Sequence, residues 1–84
     1  MEFVAKKGEV IVMDEGDTYL VLKTIEYEGA GYLHMVQTGE YLYDENFEID
    51  SSKEAYVKEV VTEDDYYLEV VSDEELIKKL SAIK

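Results

Sequence analysis

Thr18–Thr38, TYLVLKTIEYEGAGYLHMVQT, decides the fold. Two runs rich in β-branched and aromatic residues flank Gly29-Ala30-Gly31, and such runs on either side of a glycine-rich tip predict a β-hairpin. With the turn centred on Gly29-Ala30, Tyr27 opposes Tyr32, Ile25 opposes His34 and Thr24 opposes Met35. Val10, Val12, Tyr19, Val21, Ile25 and Val36 then line one face, and Ile11, Met13, Leu20, Leu22, Leu33 and Met35 line the other. A sheet with one wet side alternates cleanly between apolar and polar. Here both faces are apolar near the middle, so the sheet is expected to curl toward a small barrel or to carry a second element on its other face.

Upstream of the hairpin, Glu9-Val-Ile-Val-Met13 is a short apolar run ended by Asp14-Glu-Gly-Asp17. A tight turn at Glu15-Gly16 pairs Val12 with Tyr19 and Val10 with Val21. Residues 1–8 read as a frayed or edge-pairing start. Downstream, Gly39–Lys53 is the least regular stretch, and two further strands meet across Glu63-Asp64, with Val57 opposite Val70 and Lys58 opposite Glu69. An apolar pair and an opposite-charge pair in one alignment support the same register.

The chain closes on Ser72-Asp-Glu-Glu75, an S-x-x-E capping box ahead of the stripe Leu76, Leu80 and Ile83. Acids fill the first turn of this helix and lysines the later ones, each sign opposing the helix dipole. So short a helix is marginal alone in water, so its stripe must pack on the sheet. The expected fold is α+β, mostly β: a curled antiparallel sheet or small barrel of about five strands with one C-terminal helix. Strands are expected near 9–14, 18–28, 31–38, 55–62 and 66–71, with a loop over 39–54 and a helix over 73–83, in one domain spanning 1–84.

Ile25-Glu-Tyr-Glu-Gly29 followed by Tyr32-Leu33, then Val60-Val61-Thr-Glu-Asp-Asp65 leading through Tyr67-Leu-Glu-Val-Val71 into Ser72-Asp-Glu-Glu75, resembles the YrzB-like family of small acidic proteins of Gram-positive bacteria. The chain departs from that family over Tyr41–Ser52. The family brings no established activity, so the resemblance implies a fold and assigns no site.

Composition bounds the partners. The 84 residues carry 21 Asp or Glu against 8 Lys or Arg, all eight of them Lys, for a formal charge of -13. Such a surface repels phosphate over a Debye length of about 8 Å, which disfavours direct nucleic-acid binding and anionic membranes. The absence of Cys removes disulfides and thiolate zinc sites and fits a reducing compartment. MEFVAKKGEV lacks the apolar core of a signal peptide and no run is long enough to span a membrane, so a cytoplasmic location is expected. An apolar share of 46 %, with 8 Tyr and 2 Phe, argues for a folded chain rather than a disordered one.

Chemistry-bearing patterns are weak. Asp44-x-Asn46-x-Glu48-x-Asp50-x-Ser52 sets oxygen ligands at alternate positions as a calcium loop does, but Ile49 stands where the turn needs Gly and Ala55 where a bidentate Glu closes the site. No metal is expected there. His34 has no carboxylate or nucleophile at a spacing that marks a dyad, no Ser lies in an activating motif, and no phosphate-binding glycine string occurs, so neither an enzyme nor a cofactor is expected.

Aromatics and acids crowd one stretch, Tyr41, Tyr43, Asp44, Glu45, Glu48 and Asp50, which makes it the candidate partner surface. The functional expectation is a non-enzymatic acidic protein that engages a basic protein through carboxylates and Tyr. One alternative is a phage- or defence-related inhibitor that imitates nucleic acid to block a DNA- or RNA-binding protein. Another is a housekeeping protein whose charge serves solubility alone.

Overall fold

The computed structural model describes residues 2–13, 16–38 and 54–83. The strands are β1 (Val10–Val12), β2 (Thr18–Tyr27), β3 (Ala30–Gln37), β4 (Glu54–Val61) and β5 (Tyr66–Val70), followed by the helix α1 (Glu74–Ala82). All pairings are antiparallel and the strand order is β1-β2-β3-β4-β5, a five-stranded meander that curls into a half-barrel. The expected fold class is the one observed.

The central hairpin turns one residue earlier than its glycines suggest. Glu28 and Gly29 both have positive φ, 49° and 78°, and Tyr27 pairs with Ala30 across them. A two-residue tip with both residues left-handed follows the right-handed twist of its strands, and Gly29 supplies one of those conformations freely. Ile25 therefore opposes Tyr32 and Thr24 opposes Leu33, in place of the expected His34 and Met35.

The pairing then steps from Lys23↔His34 to Val21↔Met35, leaving Leu22 as an extra residue. This bulge exchanges the faces of everything before it. Tyr19 and Val21 join Leu33 and Met35 on one face, and Ile25 stays with Tyr32 on the other, which corrects the expected grouping of Tyr19, Val21 and Ile25.

The first hairpin is also shifted by one, with Val10↔Leu20, Ile11↔Tyr19 and Val12↔Thr18. The Met13 N–H donates to Asp17 O at 2.8 Å and the Gly16 N–H to Met13 O at 2.8 Å, with Gly16 at φ 91°. Closing the reversal between Met13 and Asp17 adds a residue to the turn, and an odd change in turn length moves the register by one. The last hairpin has the register read from its sequence, Val57↔Val70 and Lys58↔Glu69.

Each face of the sheet has its own cover. On one, Val21, Leu33, Met35 and Val57 are buried with Ala5, against which Phe3, Ile11 and Leu68 pack. The segment 2–8 is thus a strap across the sheet rather than a frayed end, and it pairs with the sheet at its close, where the Gly8 N–H donates to Val21 O at 2.9 Å. The Glu59 carboxylate holds it, accepting from the Val4 N–H and the Ala5 N–H at 3.0 Å each. On the other face Leu80 is fully buried with Ile25 and Tyr32, and Leu76 and Ile83 pack beside it. The helical stripe docks as expected.

The helix cap differs from the expected one. Asp73, not Ser72, is the N-cap, its Oδ1 accepting from the Glu75 N–H at 2.9 Å and the Leu76 N–H at 3.4 Å. A carboxylate one residue closer to the first turn satisfies these donors and opposes the helix dipole with a full charge, which a Ser hydroxyl does not. At the other end Lys23 Nζ donates to the Ile83 carbonyl, tying the helix terminus to β2.

Candidate functional site

A meander that stops short of closure leaves two edges, and here they are β1 and β5. Their approach forms a cleft of about 220 Å³ lined by Ile11, Val12 and Met13 on one side and Tyr66, Tyr67 and Leu68 on the other. Val12 (68 % exposed), Val70 (64 %) and Tyr67 (48 %) leave apolar surface in solvent at these edges. Glu63, Asp64, Asp65 and Glu69 are exposed on the turn before β5 and on the strand itself.

The register shows which backbone groups of β5 are free. The Val71 N–H donates to Tyr56 O at 2.9 Å and the Thr62 N–H to Asp65 O at 2.8 Å. Inward and outward groups alternate along an antiparallel strand. Asp65, Tyr67, Glu69 and Val71 therefore face β4, and the groups of Tyr66, Leu68 and Val70 face away from the sheet. The Tyr66 N–H is met by Asp65 Oδ1 at 2.8 Å. The N–H groups of Leu68 and Val70 face away from β4, as do the carbonyls of all three.

Tyr66 ties this edge to the strap. Its hydroxyl donates to Glu59 Oε2 at 2.8 Å, the same carboxylate that holds Val4 and Ala5. Burial, then this hydrogen bond, then the charges of Glu59 and Glu9 hold the Tyr66 proton well above its ordinary pKa.

A second group lies at the β3–β4 ladder. His34 stacks on Tyr56 with ring centroids 4.5 Å apart and planes 4° apart, and its Nε2 is 3.1 Å from Glu54 Oε1. The buried Nε2 has no hydrogen-bond partner among the described residues. Burial first, and the Glu54 charge second, raise the Tyr56 pKa. The sequence gives His34 no carboxylate at a dyad spacing; the ladder supplies one because Val36 pairs with Glu54, two residues along from His34↔Tyr56.

A cleft of about 280 Å³ where β5 meets the helix is lined by Tyr32, Lys58, Glu69 and Asp73 among others. Asp73 already accepts from the helix N–H groups there. Among the described residues no group of three or more His, Asp or Glu is placed to hold a metal ion, and no helix is long and apolar enough to cross a membrane.

Tyr41, Tyr43, Asp44, Glu45, Glu48 and Asp50, the expected partner surface, lie outside the described residues, as does the whole series Asp44–Ser52. The edge formed by Tyr66, Tyr67 and Val70 was not singled out by sequence. Its signal is a last strand, YYLEV, that carries no Lys or Pro to blunt a free edge. No family model, curated protein or solved structure matches the chain.

Proposed function

We infer that this protein is a small non-enzymatic binding module whose acidic, tyrosine-bearing surface engages a basic protein. The reading is carried by one coincidence, the exposed apolar side chains Tyr66, Tyr67 and Val70 set among the exposed carboxylates Glu63, Asp64, Asp65 and Glu69. An apolar centre within a charged rim is the ordinary make-up of a protein interface, and Tyr contributes contact area at little entropic cost. The formal charge of -13 steers positively charged partners toward the surface and turns nucleic acid away.

Association with a basic partner then slows about tenfold or more as salt is raised from low to physiological levels. The test is capture of basic proteins by the immobilised chain, compared with two charge-reversed variants. One carries Asp44→Lys, Glu45→Lys and Glu48→Lys, the other Glu63→Lys, Asp64→Lys and Asp65→Lys. Loss of capture in either variant, with the fold intact by circular dichroism, supports the reading and locates the surface. Capture that ignores both variants and salt defeats it. Release of the partner by duplex DNA identifies the nucleic-acid mimic as the specific form.

A further inference from the structure

We propose that the free edge of β5 is a strand-addition site, which an extended segment bearing Lys or Arg on alternate residues joins as a further antiparallel strand facing β1. The proposal rests on the basic-partner reading above and specifies how such a partner binds.

Direction is fixed by the meander. Every pairing is antiparallel, so β1 and β5, separated by an even number of steps, run the same way and cannot close on each other antiparallel. A strand laid antiparallel to β5 is antiparallel to β1 as well. The edge supplies the main-chain groups for it, namely the N–H of Leu68 and of Val70 and the carbonyls of Tyr66, Leu68 and Val70, which no β4 group reaches. Main-chain bonding of this kind gives affinity, and pockets for alternate side chains give specificity.

The two faces of the edge set the side-chain chemistry. Toward the cleft the added strand meets Ile11, Met13 and Leu68 together with Tyr66, whose hydroxyl is already taken by Glu59. Its opposite face meets the Glu69 carboxylate, with Tyr67 at the margin of the cleft, and this pair suits a Lys or Arg by ion pairing and cation–π contact. The occupant thus alternates apolar and basic residues. A second copy of this chain is disfavoured because each copy brings a charge of -13.

The probe is a short synthetic peptide alternating Val and Lys, with a twin of equal charge methylated on alternate backbone nitrogens. Affinity is read by fluorescence anisotropy, and hydrogen exchange of the Leu68 and Val70 amides by NMR. The parent peptide is expected to slow exchange at both amides and to bind at least about tenfold tighter than the twin, a margin of about 1.4 kcal/mol. Val70→Pro removes an outward N–H and no ladder bond, so it keeps the fold and weakens the parent peptide by a similar factor. If the twin binds as tightly as the parent and neither amide is protected, the edge is not the site, while a charge-driven basic partner stands. If neither peptide binds at low salt, the basic-partner reading falls too. Protection that grows with protein concentration and without peptide would make a second copy the occupant and overturn the proposal.

Discussion

The two covers of the sheet are held by different physics. The helix is held on its face by apolar burial, with Leu80 wholly out of solvent against Ile25 and Tyr32. The strap buries only Ala5, with Phe3 beside it, and its polar hold is concentrated in one carboxylate, Glu59, that takes two backbone N–H groups and the Tyr66 hydroxyl. Burial spreads its contribution over many contacts around Leu80. A clamp concentrates it, so one substitution or one change of charge can undo it. The half-barrel therefore has one side that weakens only with the whole fold and one that can open alone.

The harshest break in this contrast is Leu80→Ala. Truncating a buried Leu in a core is expected to cost about 2 to 5 kcal/mol, a large share of what a chain this size has, and a urea titration should show a single transition moved to lower denaturant. Glu59→Ala tests the other side. It should cost about 1 to 3 kcal/mol, with fast hydrogen exchange at Val4 and Ala5 while the amides of β3 stay protected. Equal loss of protection at both places would mean the strap and the sheet open together. The corrected helix cap comes next. Asp73→Ala should lower stability by about 0.5 to 2 kcal/mol, and Ser72→Ala should change it by less than about 0.5 kcal/mol; a reversed order would restore Ser72 as the cap.

The mildest test uses pH. The Tyr66 proton is held more tightly in the folded chain than its usual pKa of 10.0 allows, so above that pH the unfolded chain loses it first. The contribution of Tyr66 is whole below about pH 10 and declines as pH rises beyond it. In Tyr66→Phe that part of the alkaline decline should vanish from the denaturation profile. Should it persist unchanged, the proton on Tyr66 is not what the clamp depends on.

Much of the scaffold was legible because its signals are local. The β4–β5 register follows from Val57/Val70 and Lys58/Glu69, pairs that agree with each other, and the helix stripe follows from spacing. The central hairpin was misplaced by its own glycines. Three small residues in a row, Gly29-Ala30-Gly31, conceal that the turn needs left-handed backbone at Glu28 and Gly29. The bulge at Leu22 leaves no trace in a uniformly apolar run, though it decides which face Val21 occupies. The strap was invisible for another reason. Glu59 is one of 21 acids, and nothing local marks it as the one that reaches the backbone of a segment 55 residues away. The cleft between β1 and β5 depends on how far the sheet curls, a property of all strands together.

The meander's nearest-neighbour order also sets a sequence of events in folding. Every strand joins the one beside it in the chain, so hairpins form at low loop-closure cost, beginning where Glu28-Gly29 predisposes the tip. The bonds that lock the ends span much greater distances along the chain, 55 residues from Val4 to Glu59 and 60 from Lys23 to Ile83. The rate-limiting barrier is therefore expected to be crossed with β2 and β3 zipped and both termini still loose. Replacements at Glu59 or Lys23 should then accelerate unfolding and leave the refolding rate nearly untouched.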